Sequence, residues 1–482
     1  MLAYFPCITL GADETVKSLA RERPFVLLAI LACTSGNRSI QCHRLYDEEF
    51  RKVLGLKVVA GGERSLELLQ GLLIYCAWYP FHLRPKDKRT YQYLRMAIDL
   101  LHDLDLDKCC DDCNEQDVAV TSGQLDGIRA YLGCFYIVTT FCPIWPRATW
   151  TTLNYTPWTS TCWSALLNHS SRPEDTTLAC LARNVYIGQE ASRVSKRSQG
   201  DDREPQLLLL GLEAQLRDWQ SKIPSDIATS APVLLSALFA EILIHCSVLM
   251  TFPAQRASCR PLKPDADKVS HAIPLIRRFF EIAAQLDHGH FSALEWAKLV
   301  SCVILGTNLS FPLKEISGWD YMQARSELKF REYLEQICGG GDAAEQSAPQ
   351  EGSSITRPTD IKCASRAILN VVLRKYNDKI ERERKSDEPG RLGCPMLDGS
   401  ADEYLYMWDD NTPMLMPAIG DQADVVSLAL HMGSGAEAFN DRERAPRPGH
   451  GGAAQVDPRI MYHDLWATMT LGWGERGLDS LG

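Results

Sequence analysis

Positive charge is in short supply in this sequence: 51 lysines and arginines stand against 61 aspartates and glutamates, a formal net charge of −10. An acidic body meets repulsion as it approaches a phosphate backbone, so direct DNA contact is not expected from this chain. A basic module or a partner would have to supply it. Period-two alternation of apolar and polar residues is nearly missing, which argues against a sheet-based core. No G-x-S-x-G nucleophile turn, no G-x-x-x-x-G-K-[ST] phosphate loop and no H-E-x-x-H pair occurs, so the common hydrolase, nucleotide-binding and zinc-protease chemistries find no residues here. Residues 1–18 lack a basic stretch and an apolar run long enough for export. The most apolar segment, Pro232–Phe252, contains Glu241 and His245, which reads as a buried helix of an intracellular, soluble protein and not as a membrane span.

Cysteine is plentiful, at 17 residues, yet organised cysteine is scarce. Cys33, Cys76, Cys134, Cys246 and Cys302 sit among Leu, Ile, Val and Ala, as reduced thiols do when they pack as small apolar side chains. Cys110 and Cys113 form one C-x-x-C beside Cys109 and His102, but a structural zinc takes four ligands and no second pair lies at a usable distance. An acidic helix-exit loop is the simpler reading. His288 and His290 flank Gly289 in an interhelical turn with no third ligand nearby. Neither a metal nor another cofactor is expected.

What remains is helical periodicity, and it points to an all-α fold built as a large multi-helix array. Asp13 and Thr15 can cap a short helix ending at Glu22, and Pro24 suits the first turn of a helix over Pro24–Thr34. Further helices are expected over Gln41–Val59, Leu66–Tyr79, Tyr91–Leu104, Gly127–Phe141, Thr176–Val194, Gln206–Ile223, Pro232–Thr251, Ala266–Leu286, Ser292–Ser310 and Trp319–Ile337. Leu66–Tyr79 is apolar around most of its circumference and should be buried on most sides. Pro143–Trp163, rich in Trp, Thr and Pro, reads as an ordered irregular segment. The composition divides the chain into a helical domain over 1–338, a Gly-rich linker over 339–359, one more helix over 360–386, and a largely disordered tail over 387–482.

Asp111, Asp112 and Glu115 spell D-D-x-x-E after an apolar helix, which resembles the first magnesium motif of class I terpene synthases. The second motif of those enzymes has its nearest candidate at Asn377-Asp378, where Glu381 stands in for a hydroxyl residue and Lys385 for the final carboxylate. A metal-dependent lyase therefore stays only as an alternative. A helical interaction scaffold with no part in transcription is another.

Several segments in order resemble the middle homology region of fungal zinc-cluster transcription factors. They are Arg21–Ala32; the run Glu63–Tyr79, with Ser65, Leu69, Gln70, Tyr75 and Trp78; Leu94–Ile98, leading to Asp105-Leu106; Arg129 to Cys134; Tyr155-Thr156-Pro157-Trp158 with Cys162; and Gly318-Trp319-Asp320. Together they span about residues 10–340. The resemblance implies a nuclear regulator of a gene cluster, of secondary metabolism or another regulated kind, and signature residues that are structural, not catalytic. It also implies a six-cysteine DNA-binding module, and no such array occurs in these residues. The chain is therefore expected to act through another transcription factor or a coactivator, as a homo- or heterodimer. Two acidic-aromatic stretches, around Tyr404, Tyr406 and Trp408 and around Leu465 and Trp466, have the composition of short activation segments.

Overall fold

The computed structural model describes residues 2–385 except 12, 36–39, 80–88, 109–120, 142–152, 197–202, 251–261, 314, 317 and 340–360. The linker from residue 340 on, the Cys109–Glu115 loop and the tail with both acidic-aromatic stretches therefore lie outside the described residues.

The all-α expectation holds: no strand occurs among the described residues. The helices are α1 Val16–Glu22, α2 Pro24–Thr34, α3 Ile40–Leu54 with a wider turn over Gly55–Ala60, α4 Leu66–Trp78, α5 Arg89–Asp103, α6 Ser122–Phe141, α7 Pro157–His169, α8 Pro173–Lys196 and α9 Arg203–Lys222. They continue with α10 Ser225–Ala228, α11 Ala231–Cys246, α12 Ala266–Gln285, α13 Ala293–Leu309, α14 Tyr321–Leu328, α15 Phe330–Gly339 and α16 Ile361–Lys385.

Local chemistry sets many of the starts. Thr15 and Ser18 form a reciprocal cap on α1, Pro24 opens α2, and the Ser65 hydroxyl accepts from the Leu68 N–H at 3.4 Å at the head of α4. Ser292 and Glu295 close the same kind of box on α13.

Packing then gathers the array around two buried helices. In the N-terminal half α2, α5 and α6 pack on α4, and α3 reaches it through Phe50 on Tyr75; α4 is buried at every position from Leu68 to Ala77. In the C-terminal half α8, α11 and α12 pack in series, and α6 lies against α8 to join the halves. α13 runs through both: all its residues are buried, and it touches α4, α6, α11, α12 and α14. The apolar stretch ending at Met250 is long and apolar enough to cross a membrane by composition, but 78% of its most apolar window is buried inside the protein, between α8 and α12. α16 packs on α15, and its Leu369, Val372 and Tyr376 join the main core.

Two expectations are corrected. The segment read as irregular up to Trp163 turns helical at Pro157, because Thr156 and Thr159 cap it reciprocally and Pro157 fits its first turn. The single helix expected over Trp319–Ile337 is two, broken at Lys329, whose backbone takes φ +48°.

Candidate functional site

The described residues form an open cleft of about 490 Å³ where α14, α15 and α16 meet. Arg325 organises it. Its guanidinium donates to the Ser310 carbonyl at 3.1 and 2.7 Å and to Glu383 of α16 at 2.7 Å, while lying 5.0 Å from the centre of the Phe311 ring and 5.5 Å from that of Tyr321. Lys379 caps the Phe311 ring at 3.8 Å. Tyr376 makes edge contacts with Phe311 at 5.7 Å and Phe330 at 5.0 Å, fixing the apolar floor. Lys329 and Arg331 add exposed cations to the lining, opposed by Glu332 and Glu383, and Met322 offers an exposed apolar side chain. Arg331 is also paired with Glu335 at 2.7 Å, so the rim is of mixed charge, set over aromatic side chains that can take an apolar or aromatic group. Nothing in the lining pairs a nucleophile with a base.

The signature residues named from the sequence do not converge on this cleft. Leu69, Gln70 and Tyr75 are buried on α4, Trp78 packs half-buried against Phe5 at 5.8 Å, and Cys134 is buried on the neighbouring α6. Tyr75 stacks on Phe50 at 4.0 Å and donates its hydroxyl to the buried Asp47, which also meets Arg51 at 3.2 Å. A second junction unites Asp105-Leu106 with Pro157: the Leu106 carbonyl accepts from the Trp158 indole N–H at 2.8 Å, one residue past the proline that opens α7. Asp105 takes φ +53°, a turn conformation that Asp tolerates better than most residues. Trp319 stands apart at the entry to α14, its indole donating to the Leu309 carbonyl at 3.1 Å. These residues shape helix junctions.

Two ionic groups are buried in the body, and a third lies half-buried at its surface. Arg129 of α6 makes a two-pronged pair with Asp175 of α8 at 2.7 and 2.6 Å and meets Asp126 at 2.8 Å. Lys298 and Glu295 lie buried together on α13. His245 of α11 faces His271 of α12, ring centres 6.2 Å apart, with Glu213 and Arg217 of α9, Lys268 of α12 and Glu241 of its own helix around it. Among the described residues no group of three or more His, Cys, Asp or Glu could hold a metal ion.

Burial pushes His245 below the ordinary imidazole range, and the same burial, with Glu213, pushes the Glu241 carboxyl up. The two act in opposite directions. An imidazole harder to protonate in the folded state gives stability above its ordinary value of about 6.5, lost as pH falls toward the folded value. Glu241 gives stability below about pH 4.5, lost as pH rises through its elevated value. His245→Gln is therefore expected to flatten the decline in stability between about pH 7 and pH 5, read from urea unfolding at each pH. Parallel declines in the two proteins would remove His245 as a contributor.

The chain is similar to two fungal transcription factors. It is 24% identical over 365 residues to transcription factor opdL of Penicillium oxalicum, covering 70% of this chain and 62% of that protein. It is 34% identical over 127 residues to transcription factor himD of Aspergillus japonicus, covering 26% of this chain and 21% of that one. The chain thus spans less than two thirds of the length of either relative. No family model matches the sequence, and no solved structure gives a significant match.

Proposed function

We propose that this chain is a regulator of transcription in a fungal nucleus, of the zinc-cluster class, whose helical body acts as the regulatory domain for a gene cluster such as one of secondary metabolism. The observation that carries this reading is the alignment with opdL, which covers 70% of the chain and is too long to lie outside the helical body. The acidic balance supports a mode of action through partners, because a net charge of −10 opposes contact with phosphates by these residues. The cleft around Arg325 fits the same role. Its aromatic floor and mixed-charge rim suit a peptide of a partner protein that offers both apolar and polar side chains.

The test is to tether the full chain to an unrelated DNA-binding domain upstream of a reporter, and in parallel to delete the gene and profile transcripts. The expected result is a several-fold change in reporter output that weakens when Tyr404, Tyr406 and Trp408 become alanine, together with altered transcripts confined to a few neighbouring genes. An unchanged reporter with unchanged transcripts, and a fluorescently tagged chain outside the nucleus, would overturn the reading.

A further inference from the structure

We propose that α9 is a self-association helix, on which two copies of this chain pair antiparallel about a two-fold axis passing between Leu210 and Gly211. The inner face of α9 is accounted for: Pro205, Leu209, Leu212, Leu216 and Trp219 are buried against the body. Its outer face is unusually apolar for a solvated helix, with Leu207, Leu208 and Leu210 exposed to 68%, 49% and 53%. Leu208 flanks the buried side, but Leu207 and Leu210, three residues apart, share the outer face and form a patch of the kind that marks an interaction surface.

The pattern on that face points to a second copy as its occupant. Positions 203, 207, 210, 214, 217 and 221 are all exposed and alternate in steps of four and three, the spacing of a seam that meets another helix lengthwise. The centre of the face is graded in size. Leu207 and Leu210 project, while Gly211 and Ala214 leave hollows, and a side-chain carbon added at Gly211 would meet nothing within 4 Å. Turned end for end about the midpoint of residues 210 and 211, the helix complements itself. Leu210 then lies opposite the partner's Gly211, and Leu207 opposite the partner's Ala214. The charges fall into the same register: Arg203 lies opposite the partner's Asp218, which Lys222 of its own helix also meets at 2.7 Å, and Glu204 opposite the partner's Arg217, which is also paired with Glu213 of its own helix. A parallel pairing in register would instead set Arg203 against Arg203 and leucine against leucine, leaving the hollows empty. An interface whose two halves are one patch, with large opposing small and plus opposing minus, has the self-complementarity that two-fold symmetry requires. At 20 residues, α9 offers a contact about 30 Å long, enough for a reversible dimer and less than an obligate one needs.

This inference stands apart from the transcriptional reading, because it can succeed or fail whatever the chain regulates. Sedimentation velocity on the full chain over a low- to high-micromolar range reads it directly. The expected result is a reversible monomer–dimer equilibrium. Leu210→Asp should raise the dimer Kd by about 100-fold, because it buries two carboxylates at the axis, and should leave the circular dichroism unchanged because the site is exposed. Arg203→Glu and Asp218→Arg should each weaken the dimer by about 10-fold, and combining them should restore it to within about 3-fold of the parent. A chain that stays monomeric throughout would overturn the proposal. So would a dimer untouched by Leu210→Asp, or a double charge reversal no tighter than either single one.

Discussion

Lys298→Met is expected to destabilise the folded chain by about 3–5 kcal/mol, and adding Glu295→Gln to the same chain to recover most of that loss. The ammonium of Lys298 lies wholly inside the protein, where it donates to the Tyr136 hydroxyl at 2.6 Å and stands 3.4 Å from Glu295 Oε1. Burial drives its pKa below the usual lysine range, while Glu295 holds it up. The other carboxylate oxygen of Glu295 accepts from the Ser292 N–H at 3.1 Å and from the Ser292 hydroxyl, closing the cap of α13. Methionine fills the space of the lysine stem but leaves that carboxylate buried with only its cap donors. An uncompensated buried charge is what makes breaking such a pair expensive. Glutamine at 295 removes the charge and still serves the cap, since a capping box accepts either residue. Urea unfolding of the two single variants and the double variant gives the coupling from a mutant cycle. A double variant as unstable as the sum of its parts, or a Lys298→Met penalty below about 1 kcal/mol, would show that the pair is not a closed unit.

The same helix shows how much of the fold could be read in advance. Ser292 and Glu295 spell a cap, Pro24 opens α2 at the expected residue, and Ser65 heads α4; these signals are local, and local signals survive in sequence. The start of α6 at Ser122 was also legible. Thr121 and Gln124 cap it, with the Thr121 N–H donating to Gln124 at 2.7 Å, although the apolar pattern begins only at Gly127. The break at Lys329 was not legible. The apolar stripe runs on through it, and no glycine or proline marks it. Its cause is non-local: the Phe330 ring, immediately after the break, is pinned between Phe280 at 5.4 Å and Tyr376 at 5.0 Å and lies over Gly306. The cleft leaves no mark in the sequence for the same reason, because Arg325 and Glu383 meet across 58 residues of chain with no spacing rule to link them. In α9 the run Leu207–Leu210 was plainly apolar, but periodicity alone could not tell which leucines the body would leave uncovered.

Gly71→Ala is the other substitution expected to act strongly, at about 2–4 kcal/mol, against a helix propensity that favours alanine over glycine by about 1 kcal/mol. Gly71 is where α4 crosses α2, and a side-chain carbon placed there would lie 2.5 and 2.8 Å from two atoms of the Phe25 ring and 3.3 Å from the Phe25 carbonyl. The ring cannot swing aside. It stacks on Phe50 at 5.0 Å, and Phe50 stacks in turn on Tyr75 at 4.0 Å, so moving Phe25 disturbs the column that covers the buried Asp47. The added methyl must therefore push the two helices apart and loosen contacts along their length. Phe25→Leu in the same chain, by removing the ring atoms that clash, should return part of the stability even though it is destabilising alone. Gly123→Ala is the control: nothing lies within 4 Å of the added carbon, so the change should be neutral or stabilise by up to about 1 kcal/mol. Equal effects at positions 71 and 123 in urea unfolding would mean that the α2–α4 crossing has more slack than this packing allows.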